Sequence, residues 1–98
     1  MALTAWGFIY TATGSDPAAG TVVETAACRS VFVGVDRPEQ APEAARRLVA
    51  DGVQLIELCG GFGPVWTARV IEAIAGAVPV GAVGYGSEAV DQVHAIFA

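Results

Sequence analysis

Between Val53 and Gly76 a strand-like run, a glycine-rich break and a helical stripe follow one another with no residue to spare. Val53 to Cys59 is apolar apart from Gln54 and Glu57, Gly60-Gly61-Phe62-Gly63 interrupts it, and from Pro64 to Gly76 the residues Val70, Ile71 and Ile74 recur at helical spacing. A strand that passes through a short loop into a helix is half of a βαβ unit, and a helical return makes neighbouring strands parallel. The same order recurs elsewhere. Leu3 to Tyr10 and Ser30 to Val35 read as strands; Pro38 and Pro42 open a helix with Ala45, Leu48 and Val49 inward, closed by Asp51-Gly52. Pro79 to Val83 reads as a further strand, and Ser87 as the N-cap of a last helix carrying Val90, Val93, His94 and Phe97 on one face. Thr11 to Gly20 is a polar break, and Asp16-Pro17 opens a short helix to Ala27, against which Thr21, Val22 and Val23 argue.

Continuous apolar strands between helices imply a parallel sheet covered on both faces, with right-handed crossovers. The expectation is therefore an α/β fold: a compact sandwich with about four mostly parallel strands flanked by helices. Residues 1–98 form a single domain without internal repeats or linkers.

Hydrophobic residues make up 54% of the chain and charged residues 15%, which covers the surface of so small a domain thinly. A homo-oligomer follows, unless Ala and Gly inflate the apolar count without making patches. The net charge is -5, there is no Lys, and Arg29, Arg37, Arg46, Arg47 and Arg69 are scattered along the chain. Neither nucleic acid nor an anionic membrane is an expected partner, because both need a basic face. Without Lys, a Schiff-base or pyridoxal phosphate linkage is excluded. No cofactor is expected. Cys28 and Cys59 lack metal-site or CxxC spacing and read as reduced thiols of a cytoplasmic protein. Met1 to Tyr10 has no basic leader, and no apolar run reaches the length of a membrane span.

Open parallel sheets bind ligands beyond the carboxyl ends of their strands. Those ends are Tyr10-Thr11, Asp36-Arg37, Glu57 to Gly63 and Gly84 to Ser87. On a central, doubly covered strand Glu57 is held out of water, where a carboxyl serves as general acid or base. The plainer alternative is a structural Glu57, paired with an Arg or accepting N–H bonds from the glycine loop. Gly60, Gly61, Phe62 and Gly63 before a helix suggest an anion cradle, although no nucleotide-loop motif is present and Pro64 removes one amide. Cys59 stands beside that helix start, a setting in which thiols become reactive. A Cys–His dyad would need His94, which the helical spacing places among packing residues. Tyr85 and Ser87 offer hydroxyls to a ligand, with helix capping as the alternative for Ser87. Tyr10, Phe62 and Trp66 are candidate apolar walls, and Trp6 suits core or interface packing. One His and two distant Cys provide no metal ligand set.

At the run Leu55 to Pro64, followed by Pro79-Val80-Gly81, the chain resembles a family of small bacterial proteins known as domain of unknown function 6506. The likeness is strongest over Gly52 to Gly63. It implies one compact α/β unit and assigns no catalytic residue. Two functional expectations follow. One is a cofactor-independent enzyme of isomerase, cyclase or lyase type, in which Glu57 moves a proton in a largely apolar pocket. Cys59 and Tyr85 would be its other catalytic candidates, with loop amides and the Tyr85 hydroxyl stabilising developing negative charge. The other is a non-catalytic ligand-binding or oligomeric assembly module.

Overall fold

The computed structural model describes residues 2–98. Five strands form one sheet in the order β2-β3-β1-β4-β5: β1 (Ala5–Thr11), β2 (Thr21–Glu24), β3 (Arg29–Val35), β4 (Ile56–Leu58) and β5 (Val80–Ala82). β1 runs parallel to β3 and β4, and β4 to β5; only the edge strand β2 is antiparallel to its neighbour. The helices are α1 (Ala41–Ala50), α2 (Gly63–Ala73) and α3 (Val90–Phe97).

The chain's punctuation sets these boundaries. Gln40 Oε1 accepts the Asp36 and Arg37 amides at 2.8 and 3.3 Å, turning the chain out of β3 towards α1. α1 stops where Gly52 takes a φ of 91°. The Val53 amide then reaches Leu48 O and the Gly52 amide reaches Val49 O, a Schellman closure that satisfies orphaned carbonyls.

Ile9, Val31, Val33, Val35, Ile56 and Leu58 point to one face of the sheet, where Ala44, Ala45 and Leu48 of α1 and Val70 of α2 pack against them. The connections β3→β4 and β4→β5 step the same way across the sheet, and crossovers of one hand then put both helices on one side. The β1→β3 connection steps the other way and would bring a helix to the opposite face. It carries strand β2 instead.

Two expectations are corrected here. The helix read between Asp16 and Ala27 is absent. Thr21, Val22 and Val23 form β2, and Thr25 Oγ1 closes the β2–β3 hairpin by accepting the Ala27 and Cys28 amides at 3.2 and 3.1 Å. β-branched propensity outweighs the Asp-Pro start signal. The second correction concerns the layers: helices α1 and α2 cover one face of the sheet only.

The other face carries aromatic rings. Trp6, Phe8 and Tyr10 of β1 stand beside Ser30, Phe32 and Gly34 of β3 in register. Trp6 meets Phe32 edge-on with centroids 5.8 Å apart, Phe8 meets Phe32 at 6.2 Å, and Tyr10 stacks on Phe8 at 6.4 Å. Trp6 Nε1 donates to Ser30 Oγ at 2.7 Å. Each of these four rings is half-buried by its neighbours. α3 follows β5 but buries none of its residues, and its main contacts are with the 3-10 turn (Ser87–Ala89) that leads into it. Among the described residues no helix is long and apolar enough to cross a membrane.

Candidate functional site

The carboxyl ends of β1, β4 and β5 meet beneath α3 in a cleft of about 500 Å³. Thr11 ends β1, Cys59-Gly60-Gly61 follows β4, Tyr85 follows β5, and Val93 and Phe97 of α3 form the outer wall. Backbone bonds hold the base: the Cys59 amide donates to Ile9 O at 3.0 Å, and the Val83 amide to Leu58 O at 2.9 Å.

The Cys59 thiol is half-buried. The Thr11 amide donates to Cys59 Sγ at 3.4 Å, and Thr11 Oγ1 stands 3.7 Å from it. Both following glycines are needed for closeness. A Cβ on Gly60 would stand 2.8 Å from Tyr85 Cε2, and one on Gly61 would stand 2.7 Å from Thr11 Oγ1. The Gly60 and Gly61 amides donate to no protein acceptor among the described residues. The cleft thus gathers a thiol, two hydroxyl-bearing side chains and two free amides against apolar walls.

Of the residues expected at a site, Cys59, Gly60, Gly61 and Tyr85 come together here. The others lie elsewhere. Glu57 is exposed, which corrects the expectation of a desolvated carboxylate. The physical reason is the pleat: Ile56 and Leu58 face the helices, so Glu57 faces the side that α1 and α2 leave uncovered, between Phe8 and Gly81 in register. It makes no hydrogen bond or ion pair among the described residues, so the structural-lock alternative does not hold either. Exchanging Glu57 for Gln is therefore expected to shift the melting temperature at neutral pH by no more than about 4 °C. Differential scanning calorimetry on the two proteins checks this.

Phe62 turns away from the cleft and is core, only 4% exposed. Trp66 packs on the edge of the same core, with the Arg69 guanidinium 4.6 Å from its ring centroid. Tyr10 belongs to the aromatic face. Gly63 opens α2 with a φ of 71° and accepts a bond from Thr67 Oγ1 at 2.8 Å; it lines a separate hollow with Pro64 and Ala82. Ser87 is exposed and makes no side-chain cap; Gly86 precedes the 3-10 turn and Ala89 precedes α3. His94 is exposed on α3 and is not among the cleft's lining residues. No group of three or more His, Cys, Asp or Glu that could hold a metal ion occurs among the described residues.

Val93 and Phe97 were not expected as site residues, and Thr11 was expected only as a strand end. The stripe of α3 was visible as an apolar face, but nothing in the chain's order says that this face stands over the strand ends.

Residues 4–98 match the profile of a family of unknown function, DUF6506, and the chain belongs to that family. Comparison with proteins of curated function found no match. Comparison with solved structures found none either.

Proposed function

We propose that the chain binds a small, largely apolar molecule in the cleft at the carboxyl edge of its sheet. The observation that carries this reading is the paired close approach at Gly60 and Gly61, which brings the Tyr85 ring and the Thr11 hydroxyl onto one hollow beside the Cys59 thiol. Apolar walls with a few convergent polar groups are the usual make-up of a small-molecule site. The free Gly60 and Gly61 amides suit a ligand oxygen, so a compact apolar body with one carbonyl fits the lining best. The protein works, on this reading, as a cytoplasmic homo-oligomer.

Chemical-shift mapping with hexanamide and indole as probes tests it. Binding is expected to move the amide signals of Thr11, Cys59, Gly60, Gly61 and Tyr85. Gly60→Val, whose added atoms would collide with the Tyr85 ring, is expected to weaken binding by about tenfold or more, equivalent to about 1.4 kcal/mol. Shifts confined to the aromatic face, or none at all, would sink the reading.

A second reading keeps the enzyme: proton transfer by Glu57 in an isomerase-, cyclase- or lyase-type reaction without a cofactor. What favours it is that Glu57 has no protein partner among the described residues and lies beside a hollow of about 200 Å³ formed with Gly81, Ala82 and Val83. Perturbation by the same probes at Glu57 and Gly81, lost in Glu57→Gln, would move this reading ahead.

A further inference from the structure

Strand β2 lies beyond the cover of the core helices. α1 seats over β1, where Leu48 meets Gly7, and all four residues of β2 are exposed. The register sets Val22 beside Val31, so Val22 shares the helix side of the sheet. Between it and α1 the structure leaves a hollow of about 290 Å³. Buried Val31 and Val33 form its floor. Ala44, Arg47, Leu48 and Asp51 form the wall on α1, an i, i+3, i+4, i+7 stripe of that helix. A second hollow of about 230 Å³ adjoins it through Ala18, Ala44 and Arg47. The loop before β2 is tied in place beside both: the Gly14 amide donates to Asp36 Oδ1 at 2.6 Å, and the Ala18 amide to Asp16 Oδ1 at 2.9 Å.

Two of the chain's five Arg residues line this one hollow. Arg29 follows the period-two alternation of β3 with Val31 and Val33, and Arg47 stands one turn along α1 from Ala44. Neither guanidinium is well used within the chain. Arg29 Nε lies 3.3 Å from Glu24 Oε1, and Arg47 Nε 3.9 Å from Glu43 Oε1. Glu43 is already held by Arg46 Nη1 at 3.0 Å. The terminal nitrogens of Arg29 and Arg47 meet no acceptor among the described residues. Exposed ion pairs of this kind hold their partners weakly, whereas a carboxylate set against a guanidinium fork makes two aligned bonds.

We infer that this hollow binds a small organic monocarboxylate, its apolar body on Val31, Val33 and Leu48 and its carboxylate on Arg29 and Arg47. The volume suits a molecule of a few carbons. Asp51 lines the same hollow, and Asp16 and Glu43 the adjoining one, so the second negative charge of a phosphate would be opposed. The site shares no lining residue with the cleft at the strand ends and does not rest on the reading proposed for it.

Titration of the full chain with hexanoate, followed by amide chemical shifts, tests the site. The signals of Ala18, Gly20, Arg29, Arg47 and Leu48 are expected to move. Hexanamide, the neutral isostere, and acetate, which lacks the apolar body, are each expected to bind there about tenfold more weakly or worse. Arg29→Gln and Arg47→Gln are each expected to weaken hexanoate binding about tenfold. Arg69→Gln removes the same charge from α2 and is expected to leave binding unchanged. Equal binding of hexanamide overturns the carboxylate contact, and equal binding of acetate overturns the apolar floor. Shifts confined to the Thr11, Cys59, Gly60 and Gly61 amides overturn the site, as does an affinity unchanged in both Arg29→Gln and Arg47→Gln. A loss in Arg69→Gln equal to that in Arg47→Gln would reduce the effect to overall charge and overturn it equally. Should Arg29→Gln loosen the β2–β3 hairpin by releasing Glu24, Arg47→Gln on the helix surface decides alone.

Discussion

Leu58→Ala is expected to destabilise the protein by about 2–5 kcal/mol, the range for truncating a buried leucine. Leu58 is fully buried on β4, in register with Ile9 of β1 and Ala82 of β5, and its side chain enters the core under the helices. Removing it takes away transfer free energy and leaves a cavity that strands hydrogen-bonded on both sides cannot close. Domains of this size have about 5–15 kcal/mol in total, so the loss is a large fraction of stability. Urea denaturation followed by circular dichroism measures it, and an unchanged slope would show that the unfolded state is not the cause. The effect reaches the cleft as well, because the Val83 amide hangs on Leu58 O and Cys59 is the next residue. A loss under about 1 kcal/mol would mean that β4 is not packed between β1 and β5 as described. The contrast with Glu57→Gln is the sharper test: adjacent residues on opposite faces of one strand should differ by most of the Leu58 effect.

That contrast also shows how far the sequence could be read. Glu57 between Ile56 and Leu58 is a period-two alternation, the mark of a strand with one face open. The apolar residues on either side of Glu57, Leu55-Ile56 and Leu58-Cys59, nevertheless predict a doubly covered strand. On β1 the helix side carries Gly7 and Ile9 and the open side carries Trp6, Phe8 and Tyr10. Apolarity alone does not separate a face covered by the chain's own helices from one that lacks them, since aromatic residues suit both. The parallel order, by contrast, was legible. Ser30 to Val35 and the Pro64 helix match β3 and α2 within a few residues, because β-branched runs and Pro/Gly punctuation act locally.

The cleft was legible in the same measure. Cys59, Gly60, Gly61 and Tyr85 follow strand ends, and a rule about strand ends finds them. Thr11 is also a strand end, but its role depends on lying within reach of Cys59 Sγ, a relation between strands 48 residues apart. Val93 and Phe97 depend on where a helix settles after β5. Phe62 and Trp66, candidate apolar walls as aromatic residues, stand close in sequence to the glycines. In the fold the start of α2 turns Phe62 inward, so adjacency along the chain puts it under the loop rather than in the cleft.

Gly7→Val and Leu48→Ala are expected to be strongly non-additive. Gly7 lies on β1 facing α1, and a Cβ there would stand 2.7 Å from Leu48 Cδ1 and 3.0 Å from Leu48 Cδ2. Valine is otherwise a good strand residue, so its backbone preference favours the substitution. The clash opposes it: Leu48 is only 3% exposed, and its side chain must shift within the core to make room. Gly7→Val is expected to lose about 1–3 kcal/mol by overpacking, and Leu48→Ala about 2–5 kcal/mol by leaving a cavity. Combined, the valine methyls occupy the space the leucine vacates. The double variant should then be more stable than the sum of the single losses predicts, by about 0.5–3 kcal/mol. Denaturation of all four proteins completes the cycle. Simple additivity would mean that α1 does not seat on β1 at Gly7. The coupling bears on the cleft through β1, since α1 braces Gly7 near the strand's start and Thr11 ends the same strand at Cys59. The variant with both substitutions is expected to recover the Thr11 and Cys59 amide shifts of the wild type, which Leu48→Ala alone would disturb.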